Sequence, residues 1–250
     1  MMRVGLLKTT LVNFPGRVAA AVFLPGCNLR CPFCHNAELA VSSIVSGPSE
    51  IPENVGAYVP LDSVYELLDK RKQVLGGLAI SGGEPLLSPV LTDLIAYARS
   101  LGLAIKIDTN GTLPERLRSL ISDKYTCPDM IALDVKTDPA RYGELTTEKA
   151  AGQRVEQAIR ESISILSTVE REGYPVRIEY RTVLVPGLVG MKELEVIASL
   201  LPANANWQLA SFVPGNCLDP AWNNLQPYGP AETERLTAFA RSLIPSATHR

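Results

Sequence analysis

Three cysteines stand close together in the segment GCNLRCPFCHN, residues 26–36. Cys27, Cys31 and Cys34 follow the spacing C-x3-C-x2-C, directly after an apolar run. Thiolates are soft ligands that suit iron–sulfur clusters and zinc. Because a four-iron cluster normally takes four cysteines, three in one loop predict a cluster in which one iron stays open to a small molecule.

Other interpretations of this loop stay open on the residues alone. The three thiols and His35 could form a structural zinc site, although zinc ligands usually come as two separated pairs. Cys31 to His35 also matches the covalent haem signature C-x-x-C-H, which belongs to exported proteins, and no signal peptide is expected here. The thiols could also simply pack in a core. Cys127 and Cys217 stand alone, and an odd total of five cysteines does not favour a disulfide framework.

The segment SGGEP at residues 81–85 follows a second apolar run. Gly82 and Gly83 leave room for a ligand to approach the backbone, because neither carries a Cβ atom. Glu84 adds a carboxylate that can accept hydrogen bonds from an ammonium group. An ordinary strand-to-helix turn would carry similar residues, so this motif alone gives weak support for a binding site.

Three later segments carry charged or hydroxyl side chains where predicted strands end. They are Asp108 and Thr109 in DTNG, Asp134 and Lys136 in LDVK, and Glu179 and Arg181 in EYRTVLVPG. Residues two apart on a strand share a face, so each acid–base pair could grip a ligand or form a plain ion pair. With the cysteines, these segments place ligand-type residues at the carboxyl ends of strands, where parallel α/β folds bind ligands.

The elements that must position these residues alternate between apolar runs and amphipathic patterns of helical period. The six predicted strands cover residues 18–24, 78–81, 103–108, 130–135, 176–185 and 207–213. The predicted helices cover residues 62–68, 88–101, 153–169, 191–201 and 231–243, with Asp62 and Ser88 as N-caps of the first two. Residues 41–60 contain three prolines and are predicted to form a long surface loop.

Six strand–helix units predict an α/β fold with parallel strands and right-handed crossovers. A complete eight-unit barrel takes about 250 residues, and only six strands are visible, so an incomplete (β/α)6 TIM-like barrel, open on one side, fits best. We expect one domain over residues 1–250, with a core of about 16–215 and a C-terminal helix of about 231–244 packed on it. A hydrophobic content of 46% is enough for a substantial core.

Composition and charge exclude several classes of partner. The chain has 24 basic and 26 acidic residues, a net charge of -2, which removes the usual electrostatic support for nucleic-acid binding. The apolar run at residues 18–24 is far shorter than the roughly 20 residues of a membrane helix. The sequence therefore predicts a cytoplasmic protein with no nucleic-acid and no membrane partner.

These motifs together resemble those of the radical S-adenosylmethionine superfamily. The three cysteines match its C-x3-C-x2-C motif, with Phe33 at the usual aromatic position, and residues 81–85 match its Gly-Gly-Glu-Pro motif. KIDTNG, ALDVK and RTVLVPG follow in the order found in the glycyl-radical-enzyme activating family. Within that family, the chain is similar to the anaerobic ribonucleoside-triphosphate reductase activating proteins.

The resemblance implies a TIM-like barrel of the radical S-adenosylmethionine type and a [4Fe-4S] cluster held by Cys27, Cys31 and Cys34. It also implies that S-adenosylmethionine binds at the open iron. The implied contacts are Gly82, Gly83 and Glu84 at the methionine amino group, Lys136 and Arg181 at its carboxylate with Asp134 assisting, and the backbone at Phe33 near the adenine. A monovalent cation has a candidate site at Asp108, Thr109 and Asp134.

The resemblance further implies an activating enzyme. A flavodoxin-like or ferredoxin-like donor would reduce the cluster, and cleavage of S-adenosylmethionine would give a 5′-deoxyadenosyl radical. That radical would take a hydrogen atom from a glycine of a partner glycyl-radical enzyme, expected to be anaerobic ribonucleoside-triphosphate reductase. The alternatives are a radical enzyme that acts on a small molecule or peptide, and a non-catalytic zinc-binding module.

The sequence also departs from the activating family in places. Asn13 stands where activators usually carry an acidic residue, and Ala210 and Val213 stand where relatives often have polar groups. No site residue is therefore expected from the sixth predicted strand. No cysteine lies between Cys34 and Ser81, so the sequence predicts a single cluster.

Overall fold

The structure is a computed structural model that describes residues 2–42, 56–146 and 152–250. The chain divides into two compact units. The first unit comprises residues 1–28, 36–109 and 115–131, and the second comprises residues 29–35, 110–114 and 132–250. The expectation of one domain over residues 1–250 stays a prediction.

The first unit is an α/β layer with a mainly parallel centre. Its strands are β1 (Arg3–Thr10), β2 (Ala19–Leu24), β3 (Ala57–Pro60), β4 (Gly77–Gly82) and β5 (Ala104–Thr109), and its helices are α1 (Ala37–Val41), α2 (Leu61–Arg71), α3 (Leu91–Ser100) and α4 (Pro114–Ser122), whose first residue lies in the second unit. Strands β2, β4 and β5 pair in parallel, whereas β1 pairs antiparallel with β2 and β3. All six residues of β2 are buried, as expected of a central strand covered on both faces.

The second unit continues the alternation of strands and helices. Its elements are β6 (Met130–Asp134), which begins in the first unit, α5 (Gly152–Arg171), β7 (Arg177–Leu184), α6 (Met191–Leu200), β8 (Trp207–Ser211), α7 (Pro230–Leu243) and β9 (Thr248–His249). Two 3-10 helices, Pro139–Leu145 and Pro220–Asn224, lie between these elements. Strand β8 pairs in parallel with β7 and with β9. Helix α7 packs against α6 and spans Pro230–Leu243, close to the range expected for the C-terminal helix.

In the part of the chain that the structure describes, the strand order is β3-β1-β2-β4-β5-β6-β7-β8-β9. Strands β3 and β9 are the two edges, so the sheet is open, and the α/β fold with an unclosed sheet is confirmed. The six predicted strands are β2 and β4 to β8, and their ends agree with the prediction within two residues. The prediction of parallel strands alone was incomplete, because it missed the antiparallel β1 and β3 as well as the short β9.

The expected N-cap of α3 is wrong. The helix begins only at Leu91, and Val90 rather than Ser88 is its N-cap. The reason lies upstream, where the Glu84 side chain caps a 3-10 helix at Pro85–Leu87. Ser88 therefore ends that short helix instead of starting the longer one.

Two expectations about the segment before α2 also need correction. Residues 57–60 form β3 and not a surface loop, and they pair with β1. Helix α2 follows at Leu61 with Pro60 as its N-cap, so Asp62 lies inside the first turn. A four-residue strand next to prolines is too short for alternation to reveal it. Val41 is the last residue of α1, Gly56 forms an isolated bridge with Leu6, and residues 43–55 of the predicted loop lie outside the described residues.

The core of the first unit is formed mainly by residues of its strands. Its buried cluster includes Phe14, Ala21, Phe23, Tyr58 and Met130. Among the described residues, no helix combines the length and the apolar character that crossing a bilayer requires.

Candidate active site

The cysteine loop connects β2 to α1. Cys27 belongs to the first unit, and Cys31 and Cys34 belong to the second. In the second unit, the Cys34 amide donates to the Cys31 carbonyl oxygen at 3.0 Å, so the chain makes a tight turn between these cysteines. Cys31 is buried and Cys34 is half-buried. Two thiols of the motif are therefore held on a turn of fixed geometry.

Neighbouring segments of the second unit hold this turn in place. The Asp219 amide donates to the Pro32 carbonyl oxygen at 3.0 Å. The ring of Phe33, which is buried, lies against the ring of Trp222 with a centroid separation of 6.2 Å. Trp222 also lines a mostly apolar pocket of about 510 Å³, together with Leu188 and others. The turn that carries the predicted adenine contact thus borders a recess in the surface of the second unit.

The glycine pair in the first unit has a packing role. Gly82 has a φ of 129°, in the region that favours glycine, and a Cβ there would overlap Leu24. A Cβ at Gly83 would overlap the carbonyl oxygen of Gly26. The Glu84 amide donates to that same oxygen at 2.8 Å. Both glycines therefore let the segment lie directly against the chain that leads into Cys27.

We predict that Gly83→Ala destabilises the protein by about 1–3 kcal/mol, because the new methyl group must push against backbone. Urea unfolding measures this difference as a lower midpoint at an unchanged slope. Gly76→Ala is the matched control, since a Cβ at Gly76 meets only ordinary contacts at 3.6 Å or more. Equal stability of the two variants would contradict the packing role of Gly83.

Glu84 is fully buried in the first unit. Its Oε1 atom accepts a hydrogen bond from the Leu86 amide at 3.0 Å and another from the Thr109 hydroxyl at 2.8 Å. The sequence assigned Glu84 and Thr109 to different ligands, and the structure brings them into contact. A carboxylate held in this way has a fixed orientation.

Three charged side chains of the second unit form one cluster. Arg181 Nε lies 2.7 Å from Asp134 Oδ1, and Lys136 Nζ lies 3.3 Å from Asp134 Oδ2. Burial raises the pKa of Asp134, but the Arg181 guanidinium and the Lys136 ammonium outweigh burial and hold that pKa well below its usual range. Asp134 therefore stays ionised and orients both cations. Glu179, two residues before Arg181 on β7, has its Oε1 atom 3.7 Å from Arg250 Nη1.

Lys136 of this charged group also interacts electrostatically with the cysteine turn. Burial lowers the pKa of Lys136, but the Asp134 carboxylate and the negative charges of Cys31 and Cys34 more than compensate and raise it. Lys136 is therefore coupled electrostatically to two cysteines of the motif.

Buried hydrogen bonds fix the backbone that carries this cluster. The Lys136 amide donates to the hydroxyl of Tyr142 at 2.8 Å, and burial raises the pKa of that phenol. The Thr182 hydroxyl donates to the Val135 carbonyl oxygen at 2.8 Å and accepts from the Trp207 indole at 3.0 Å. No sequence signal pointed to Tyr142, because it lies in a 3-10 helix outside the predicted elements.

Asp108 pairs with a side chain that the sequence reasoning missed. Its carboxylate contacts the ammonium group of Lys106, which is 2% exposed. The two residues are two apart on β5 and share a face. The same alternation that singled out Asp134 and Lys136 could have identified this pair.

A structural zinc site needs several side chains that converge on one metal ion. Within the described ranges, no three or more His, Cys, Asp or Glu side chains are arranged to hold one metal ion. The His35 ring lies 6.3 Å from the Phe212 ring, centroid to centroid, and burial lowers the pKa of that histidine. A four-iron cluster differs from zinc because each cysteine binds its own iron, so its ligands need not converge on one ion.

A family model described as the radical SAM superfamily matches residues 21–201. A protein of Methanocaldococcus jannaschii, whose name assigns it provisionally to the glycyl-radical enzyme activating enzymes, is 27% identical over 98% of this chain and 94% of its own length. The pyruvate formate-lyase-activating enzyme of Clostridium pasteurianum is 28% identical over 83% of this chain and 79% of its own. A 7-carboxy-7-deazaguanine synthase of Methanopyrus kandleri is 33% identical, but over only 50% of this chain and 51% of its own.

Solved structures are similar in fold. SuiB of Streptococcus suis, bound to S-adenosylmethionine, superimposes with a TM-score of 0.59 at 15% identity and covers 92% of this chain. The structure of TYW1 with a lysine-pyruvate adduct gives a TM-score of 0.56 at 18% identity over 90% of this chain and 73% of its own. This chain spans about half the length of SuiB, 51%. At such low identity these likenesses concern the fold alone.

Proposed function

We propose, from the premise that this chain belongs to the radical SAM superfamily, that it is an activating enzyme which generates a glycyl radical on a partner protein. The chain is an enzyme with the chemistry of that superfamily. The observation that carries the finer proposal is the match, over 98% of this chain and 94% of the relative, to a protein whose name assigns it provisionally to the glycyl-radical enzyme activating enzymes.

The superfamily implies a [4Fe-4S] cluster and S-adenosylmethionine, and the residues present fit both. We propose that Cys27, Cys31 and Cys34 hold the cluster. Their thiolates are the soft donors that iron–sulfur clusters take, and two of them are coupled electrostatically to the Lys136 ammonium. When bound, the cluster supplies the electron that cleaves S-adenosylmethionine, and the chain's own residues position the groups and exclude water.

The contacts to S-adenosylmethionine remain proposals. Gly82, Gly83 and Glu84 would bind its amino group, supported by the fixed orientation of the buried Glu84 carboxylate. Lys136 and Arg181 would bind its carboxylate. Asp134 would orient those two cations, and ionised Asp134 is already placed between them. The backbone at Phe33, held against Trp222, would meet the adenine.

We propose anaerobic ribonucleoside-triphosphate reductase as the partner enzyme, with a flavodoxin-like or ferredoxin-like electron donor. The resemblance of the sequence to the activating proteins of that reductase is what supports this choice within the activating family. A second candidate function is a radical enzyme that acts on a small molecule. The partial similarity to a 7-carboxy-7-deazaguanine synthase favours it, although that similarity covers only half of this chain.

Anaerobic mixing with candidate glycyl-radical enzymes tests the proposal. The reduced, cluster-loaded protein is incubated with S-adenosylmethionine and either anaerobic ribonucleoside-triphosphate reductase or pyruvate formate-lyase. We expect an organic radical doublet in the paramagnetic resonance spectrum of the reductase, and loss of that doublet when its radical glycine is replaced by alanine. S-adenosylmethionine cleavage with no protein radical on any candidate would contradict the activase proposal and favour the small-molecule alternative.

A further inference from the structure

The three residues expected to hold a monovalent cation are already engaged by groups of this chain. Asp108 contacts the ammonium of Lys106 within the first unit. Asp134 contacts Arg181 and Lys136 within the second unit. The Thr109 hydroxyl directs its hydrogen to Glu84. The expected site therefore offers no carboxylate that lacks a cationic partner.

The pair of Lys106 and Asp108 is the decisive part of this arrangement. Lys106 lies on β5 with its side chain 2% exposed, and the Asp108 side chain is 14% exposed. Placing a lysine so deep costs desolvation, and a buried ammonium persists only when a close partner compensates it. Removing either partner leaves an uncompensated charge in a low-dielectric setting. The Lys106 ammonium therefore depends on the Asp108 carboxylate to compensate its charge.

An ammonium group and a potassium or sodium ion offer a carboxylate the same charge. The ammonium is a compact point charge, and it brings three donors that also satisfy nearby oxygens. A metal cation added beside it would meet a neutralised carboxylate and a like charge. Both features oppose binding of a second cation at Asp108.

We infer that the Lys106 ammonium replaces the monovalent cation at Asp108, so that this enzyme carries its own cation at that position and needs none from solution. The inference concerns the site of the proposed function, and its activity readout rests on that function. A stability readout does not, because it uses the protein without cluster or substrate. The inference about Lys106 and the proposed function can therefore fail separately.

Thermal unfolding at constant ionic strength tests the inference. Chloride salts of potassium, sodium and tetramethylammonium are exchanged at a fixed total concentration. We expect the same unfolding midpoint for the wild type in all three salts. Lys106→Met is expected to unfold at a lower temperature in tetramethylammonium. Its midpoint should rise saturably with potassium or sodium, by about 3 °C or more at ten times the Kd.

The double variant Lys106→Met, Asp108→Asn removes both charges and serves as the matched control. It should recover stability relative to Lys106→Met and show no preference among the salts. A wild-type midpoint that rises saturably with potassium or sodium would overturn the inference. If Lys106→Met does not fold, failure of the double variant to restore folding would overturn it as well, because the fault would not be the unpaired carboxylate.

Cleavage of S-adenosylmethionine by the loaded wild type gives the second readout. We expect equal rates in the three salts, and a rate that depends on potassium or sodium would contradict the inference. Absence of cleavage in every salt would count against the proposed function, whereas the unfolding midpoints would still decide the role of Lys106.

Discussion

Replacing Cys31 with alanine is expected to abolish both assembly of the iron–sulfur cluster and cleavage of S-adenosylmethionine. The change removes one of three thiolates and leaves too few cysteines to hold the cluster. Removing a hydrogen-bond partner of a metal ligand costs roughly 10–100-fold in affinity or activity, and loss of the ligand itself should cost more. Iron and sulfide content and the rate of 5′-deoxyadenosine formation measure the two losses.

Cys217→Ala is the matched control for this variant. Cys217 is buried like Cys31 and belongs to the same unit, but it lies outside the motif. Burial raises the pKa of its thiol, so it is a poor ligand and nucleophile. The control should keep its cluster and its activity. Retained cleavage in Cys31→Ala would defeat the assignment of the motif.

Replacing Lys136 with alanine is expected to weaken S-adenosylmethionine binding while the cluster spectrum stays intact. Lys136 holds Asp134 at 3.3 Å, and Arg181 still contacts that carboxylate when the lysine is gone. Loss of one hydrogen bond to a charged group costs about 2 kcal/mol, which corresponds to roughly a 30-fold increase in Kd. Equilibrium binding of S-adenosylmethionine to the cluster-loaded protein measures this change in Kd.

The control for Lys136 is Lys72→Ala, which breaks an exposed lysine–aspartate pair on the other unit. Exposed pairs contribute little, so both affinity and stability should stay near wild type. If Lys136→Ala lost the cluster instead of affinity, the lysine would act mainly on the cysteine thiolates and not on the substrate.

Much of the fold could be predicted because its strands carry their signal locally. Strand β2 is apolar throughout, and β4, β5, β6 and β8 each end in a polar or glycine residue, so length and composition locate them. The outer strands were not predicted, and the reasons are physical. Strand β1 mixes exposed and buried positions, and β3 has only four residues beside prolines. The prediction of Ser88 as the N-cap of α3 is wrong because Glu84 starts a 3-10 helix that ends at Ser88.

The candidate site was predictable where two residues of one strand share a face. Asp134 and Lys136 were found in this way, and the structure pairs them. Contacts made by the 3-10 helices were not predictable. The Tyr142 hydroxyl beneath Lys136 and the Trp222 ring beside Phe33 depend on where the 3-10 helices fold back. No local pattern specifies such contacts.

The central claim is that three cysteines hold a four-iron cluster that serves radical chemistry. Its most direct test is iron, sulfide and zinc analysis of the wild-type protein after anaerobic reconstitution. We predict about four irons and four sulfides per chain, with no stoichiometric zinc. A protein that stays free of iron, or that binds one zinc ion at the motif instead, would contradict the account.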